Sequence, residues 1–84
     1  MTLYRAKLAA RMAFREIDKE PQYIEFMSNH FLMRCGAKYH EGEDQELKDQ
    51  IVADCVRRFI PPEVHVTFWS WAKVKARPAA TGRA

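Results

Sequence analysis

Two cysteines and two histidines are the residues of this sequence best suited to metal chemistry. Cys35 and His40 lie five positions apart, and Cys55 and His65 lie ten apart. Thiolate and imidazole groups are the usual ligands of tetrahedral zinc. Zinc fingers and ribbons, however, take two ligands from a closely spaced cysteine pair, which this chain lacks. Because both cysteines also lie on apolar helical patterns, as buried structural cysteines do, we predict no metal site and no cofactor.

Residue patterns for other kinds of catalysis are also weak. Ser28 and His30 are two positions apart on a predicted helix, so their side chains point to different faces. The chain has no glycine-rich phosphate loop and no Gly-x-Ser-x-Gly turn. Its acidic residues cluster at the solvent-facing start of a predicted helix instead of standing in an apolar setting. We therefore predict that the protein is not an enzyme.

The length and composition indicate one small folded domain. The chain has 84 residues, of which 48% are hydrophobic, enough for a single core. We expect this domain to span residues 1–77 and to be followed by a flexible tail, 78–84. Two cysteines without a secretory signal favour the reducing cytoplasm. No apolar run approaches the roughly 18 residues that a membrane helix needs, so no membrane association is expected.

The charges of the chain are segregated along its length. Its net charge is +3, but residues 1–15 carry +4, residues 16–56 carry −6 and residues 57–84 carry +5. One interpretation is that the two basic ends neutralise the acidic middle within the fold. The other is that the ends form a basic face directed at an acidic partner.

The central element is predicted to be a helix that contains the apolar stretch Tyr23–Cys35. Pro21 suits its first position, where the missing N–H has no partner, and Gly36 suits the position just past its end. Its apolar residues recur at helical spacing, and we expect them to be covered on more than one side. They form a stripe of Ile24, Met27, Phe31 and Cys35, widened by Tyr23, Phe26, His30 and Met33.

Two amphipathic helices are predicted on either side of this element. The first spans Thr2–Asp18, with Thr2 as its N-cap and an alanine-rich stripe that would let another helix approach closely. The second spans Glu43–Phe59 and ends because Pro61 forces its predecessor out of the helical conformation. Between the central helix and the helix Glu43–Phe59 we expect a loop, Gly36–Gly42, from which Tyr39 folds back over the core.

The segment 63–75 fits two structures. As a helix it places Val64, Phe68 and Trp71 on one face, with Trp71 buried and Trp69 partly exposed; as a strand its residues alternate well. Because no second strand is evident to pair with it, we predict a helix. A strand would pair with its counterpart in a dimer or with a partner's sheet edge. The fold class is therefore an all-α domain of three to four helices.

A row on the first helix combines aromatic, aliphatic and basic residues. Tyr4, Leu8, Arg11 and Arg15 share one face; Tyr4 and Leu8 either belong to the core or form a contact face, where Tyr and Arg are enriched. With no catalytic set, we predict a small regulator or inhibitor, of the kind that phages and plasmids also encode, which binds the acidic surface of a larger protein. The predicted contact residues are Tyr4, Arg11, Arg15, Trp69, Lys73 and Lys75.

Binding of DNA or RNA is the alternative function. The pI near 9.1 and the plentiful arginines favour it. A helix-turn-helix needs a tight turn, however, and the loop predicted before the third helix is too long. That helix also begins with Glu43, Asp44 and Glu46, which phosphates would repel. Nucleic acid would therefore have to bind the basic ends, with a tryptophan stacking on a base.

Overall fold

A computed structural model describes residues 1–72 of the chain, and this part is helical throughout its length apart from short connections. No strand occurs in the described residues, so the predicted all-α class is confirmed, as is the helical form of 63–75 over its described part. The predicted tail 78–84 lies outside the described residues. The elements are α1 (Leu3–Ile17), α2 (Pro21–Tyr39), α3 (Gln45–Phe59), a 3₁₀ turn (Pro62–Val64) and α4 (His65–Ala72).

Helices α1 and α2 begin at the predicted signals, and α3 ends at Phe59 as predicted but begins at Gln45 instead of Glu43. Thr2 is the N-cap of α1, and its hydroxyl accepts a hydrogen bond from the Arg5 N–H at 3.1 Å. Pro21 occupies the first turn of α2. The Asp44 carboxylate caps α3 by accepting the Leu47 N–H at 2.9 Å. Each cap satisfies a backbone group that has no partner inside the helix.

The predicted end of α2 at Gly36 is wrong, because the helix continues to Tyr39. Gly36 does not adopt the left-handed conformation that would end a helix there. Tyr39 lies one turn beyond Cys35 and is buried, and its hydroxyl donates to the carbonyl of Met1. This packing outweighs the cost of about 1 kcal/mol for glycine inside a helix. The prediction that Tyr39 covers the core is confirmed.

Gly42 allows a tight approach in the short connection between α2 and α3. A Cβ atom at this position would lie 2.9 Å from Lys48 Cγ and 3.1 Å from the Lys48 backbone nitrogen. The backbone nitrogen cannot move without disturbing the first turn of α3. A side chain at position 42 would therefore force Lys48 to shift, and glycine avoids this cost.

The core is organised around α1, which packs against both α2 and α4. Four of its alanines have no exposed surface, so neighbouring helices approach its backbone closely, as the sequence predicts. Phe14 extends this buried face and meets Tyr23 of α2 edge to face at 6.3 Å. The fully buried alanines are Ala6, Ala9, Ala10 and Ala13.

The 3₁₀ turn and helix α4 together close the core with a buried line of Val64, Phe68 and Ala72. Phe68 contacts Phe31 of α2 at a ring separation of 5.7 Å. The predicted burial of Trp71 is wrong, since 38% of this residue is exposed. The buried positions recur every four residues, and Trp71 lies beside that line, at its edge. Trp69 is partly buried, as predicted, with its ring 5.0 Å from that of Phe68.

Substitution of Ala10 by Leu tests the close approach of the helices to α1. The larger side chain has no space at a fully buried position, so we expect the free energy of unfolding to fall by about 1–3 kcal/mol. Ala37→Leu is the matched control, because Ala37 is exposed on α2. Chemical denaturation measures both variants. Equal stability of the two would contradict the packing described for α1.

Substitution of Ser28 by Ala tests the energetic effect of a buried hydroxyl. Ser28 is fully buried on α2, and its Oγ has no hydrogen-bond partner within residues 1–72. Removing an unsatisfied hydroxyl is expected to raise the free energy of unfolding by about 1 kcal/mol or more. Ser70→Ala, at an exposed position of α4, reports the gain in helix propensity alone. A Ser28→Ala gain no larger than that of Ser70→Ala would contradict this expectation.

Candidate functional site

The outward face of α1 is the row that the sequence singled out. Tyr4, Leu8, Arg11 and Arg15 recur every three or four residues, which places them on one side of the helix, opposite the buried alanines. Tyr4 is 77% exposed, both arginines are exposed and Leu8 is partly buried. Tyr4 is therefore not a core residue, and the row presents an aromatic ring beside two guanidinium groups.

Ion pairs neutralise part of this row. A nitrogen of Arg11 lies 3.4 Å from the Glu25 carboxylate of α2, and Lys7 Nζ lies 3.9 Å from the same group. All three side chains are substantially exposed, and ion pairs of this kind contribute about 0–1 kcal/mol. Arg15 has no ion pair within residues 1–72. One carboxylate thus faces two cations, Lys7 and Arg11, and a partner's carboxylates can compete for Arg11.

The C-terminal end of α4 lies beside the first turn of α1. Arg5 Nη1 donates to the carbonyl oxygen of Trp71 at 3.5 Å, and a cation at this end of a helix also complements its dipole. Trp71, which is 38% exposed, therefore lies at the same end of the molecule as Tyr4. Sequence reasoning missed Trp71, because its spacing from Val64 and Phe68 indicated burial.

The other predicted contact residues have different positions. Trp69 packs against the core and exposes only part of its side chain. Lys73 and Lys75 lie outside the described residues. Arg57 and Arg58, which belong to the basic C-terminal segment, both pair with Asp54 of their own helix, at 3.1 and 3.4 Å. The structure thus groups Tyr4, Arg11 and Arg15 on one face, with Trp71 near one end.

The two cysteines face each other between α2 and α3. Both are buried free thiols, and each lies close enough to influence the ionisation of the other. Burial raises the pKa of Cys35 to about 12, with Cys55 adding to the effect, and burial also raises the pKa of Cys55. Thiols that remain protonated at neutral pH are poor nucleophiles. This pair therefore acts as part of the core.

The two histidines do not join this cysteine pair. His40 is exposed and contacts the Tyr39 ring, while His65 Nε2 lies 2.5 Å from the carbonyl oxygen of Ile60. Across residues 1–72, no three residues among His, Cys, Asp and Glu converge as metal ligands would. The arrangement of these described side chains offers structural contacts and no recognisable coordination geometry.

Comparison with known proteins revealed no matching protein family, no matching curated protein and no matching solved structure. None of the helices in residues 1–72 combines the length and apolarity required to cross a membrane. The outward face of α1 is therefore the feature from which a function can be proposed.

Slow reaction of the native thiols with a disulfide reagent is expected from their raised pKa values. Because the pKa of Cys35 is about 12, only a very small fraction of this thiol is ionised at pH 8. Its modification should therefore be at least about a hundredfold slower in the native protein than in denaturant.

The raised pKa values also make stability depend on pH, since unfolded thiols ionise at lower pH than the folded ones. The unfolded state then binds fewer protons, so the free energy of unfolding should fall as the pH rises from about 9 towards 12. Native thiols that react at the unfolded rate would contradict this picture.

Proposed function

We propose that the protein is a small non-enzymatic cytoplasmic regulator or inhibitor that binds an acidic surface of a larger protein. The observation that carries this proposal is the exposed row of Tyr4, Leu8, Arg11 and Arg15 on the outward face of α1. Tyrosine and arginine are enriched among residues that dominate binding energy at interfaces. A rigid helix that displays them loses little conformational entropy on binding.

The electrostatics of the row favour an acidic partner. Arg15 is exposed and unpaired within the described residues, and Arg11 is held only by an exposed pair with Glu25 at 3.4 Å. Such a surface accelerates association with a negatively charged surface, an effect that salt weakens. The partly buried Leu8, which lies between Tyr4 and Arg11 in this row, supplies apolar contact. A protein surface that offers carboxylates around an apolar depression therefore suits this row.

Nucleic acid is the competing class of partner, since arginines also bind phosphates. The first turn of α3 contains Glu46 after the capping Asp44, so this helix is unsuited to a groove. The row on α1 presents two arginines and one tyrosine, few cations for a duplex that carries a charge about every 1.7 Å. The protein-binding proposal therefore stands first.

Affinity capture with matched variants tests the proposed function. The full chain, Tyr4→Ala/Arg15→Glu and Val66→Ser are immobilised and exposed to lysate of the source organism. Retained proteins are then quantified by mass spectrometry. We expect the wild type to retain a specific protein, and the double variant to retain at least about tenfold less of it, because that variant lacks two interface anchors. Val66→Ser should retain as much as the wild type, since Val66 is exposed on α4 and lies outside the row.

Titration of labelled duplex and single-stranded DNA and RNA at two salt concentrations completes the test. The proposal predicts that DNA and RNA bind only weakly, and that Tyr4→Ala/Arg15→Glu causes no specific loss of this binding. Tight, strongly salt-dependent binding that is lost in this variant would assign the row to nucleic acid instead. Capture of the same proteins in equal amounts by wild type and double variant would also refute the proposal.

A further inference from the structure

Helix α2 has a second apolar face that the rest of the described chain leaves uncovered. Phe26, His30, Met33 and Ala37 follow one another at intervals of four, three and four residues, the spacing of a coiled-coil seam. Phe26 is 68% exposed and Met33 is 74% exposed. The sequence predicted that Phe26 and Met33 widen a covered stripe. This prediction is wrong, because α1 and α3 occupy the flanks of α2 and leave this face outward.

A groove between α2 and α3 borders this seam. It has a volume of about 560 Å³, and Phe59, Cys55 and Ala37 line its apolar part. His30 connects the seam to the groove, since its ring stacks on Phe26 at 6.3 Å and meets the edge of Phe59 at 6.2 Å. The seam and the groove thus form one continuous apolar surface, which we call the α2–α3 surface.

The groove side of the α2–α3 surface is positively charged. Arg34 lies over the Phe59 ring, with its guanidinium carbon 5.6 Å from the ring centroid, and Lys38 and Arg58 also line the groove. Among the described residues that line it, Asp54 alone is acidic, and it already pairs with Arg58 at 3.4 Å. The flank therefore carries an excess of positive charge.

We propose that the α2–α3 surface docks an amphipathic helix of a partner protein whose apolar seam is flanked on one side by Asp and Glu. The heptad spacing suits a helical occupant. At 1.5 Å per residue the stretch from Phe26 to Ala37 extends about 17 Å, which about three turns of a partner helix would cover. The acidic flank would meet the cations at the groove.

A second copy of this chain matches the surface less well than an acidic helix does. A symmetric dimer through this face would bring the same arginines and lysine from each copy to one interface, with one acid for every three of these cations. The inference is separate from the proposed function, because its residues lie on α2 and α3 and none of them belongs to the row on α1.

Fluorescence anisotropy with two labelled synthetic peptides tests this inference. Both peptides are 18 residues long and carry Leu at alternating three- and four-residue spacing; one has Glu along one flank and the other has Lys at the same positions. We expect the full chain to bind the Glu peptide at least about tenfold more tightly than the Lys peptide, because like charges oppose binding of the latter.

Variants locate the binding site. Met33→Glu should weaken binding of the Glu peptide at least about tenfold, and Arg34→Glu should abolish the preference for Glu over Lys. Val66→Glu is the matched control, since Val66 is an exposed apolar residue away from this surface, and Tyr4→Ala/Arg15→Glu separates the result from the proposed function. Both controls should bind as the wild type does, and circular dichroism checks that every variant is folded.

Three results would overturn the inference. The first is equal affinity for the two peptides, or no binding of either. The second is unchanged peptide binding by folded Met33→Glu. The third is a dimer in analytical ultracentrifugation that Met33→Glu converts to a monomer, since a second copy would then occupy the α2–α3 surface.

Discussion

The close contact that fully buried alanines allow between α1 and its neighbours α2 and α4 is the constraint on which the rest of the structure depends. Ala6, Ala9, Ala10 and Ala13 have no exposed surface. Because one side of α1 is filled in this way, its opposite side must face outward. The exposure of Tyr4 and Arg15 to solvent is thus a consequence of core packing. The packed alanines fix the orientation of α1 about its own axis, and helix geometry fixes the spacing of the two residues.

Local signals predicted much of the fold. Thr2 and Pro21 lie at helix starts because their effects on the backbone act within a few residues. Gly36 was misread because a glycine ends a helix only when nothing beyond it is better buried in helical form. Here Tyr39 reaches the core and bonds to Met1. That contact joins residues far apart in sequence, and a local pattern does not contain it.

The candidate site was predictable only in part. Helical spacing placed Tyr4, Arg11 and Arg15 on one face, which the structure shows to be outward. Spacing alone does not say which side of an apolar helix remains uncovered, so the exposure of Met33 and Trp71 had to come from the positions of the neighbouring helices. The domain thus exposes large apolar groups beside basic groups on two of its faces, and the proposed partner contacts rest on this combination.

Nitration of tyrosines, followed by mass spectrometry, tests most directly whether the outward face of α1 contacts a partner. In the free protein the exposed Tyr4 should react well before the buried Tyr39. In the complex with a captured partner, Tyr4 should become protected while Tyr39 stays unreactive. A Tyr4 that is protected in the free protein, or that reacts equally fast in the free protein and in the complex, would contradict the proposed role of this surface.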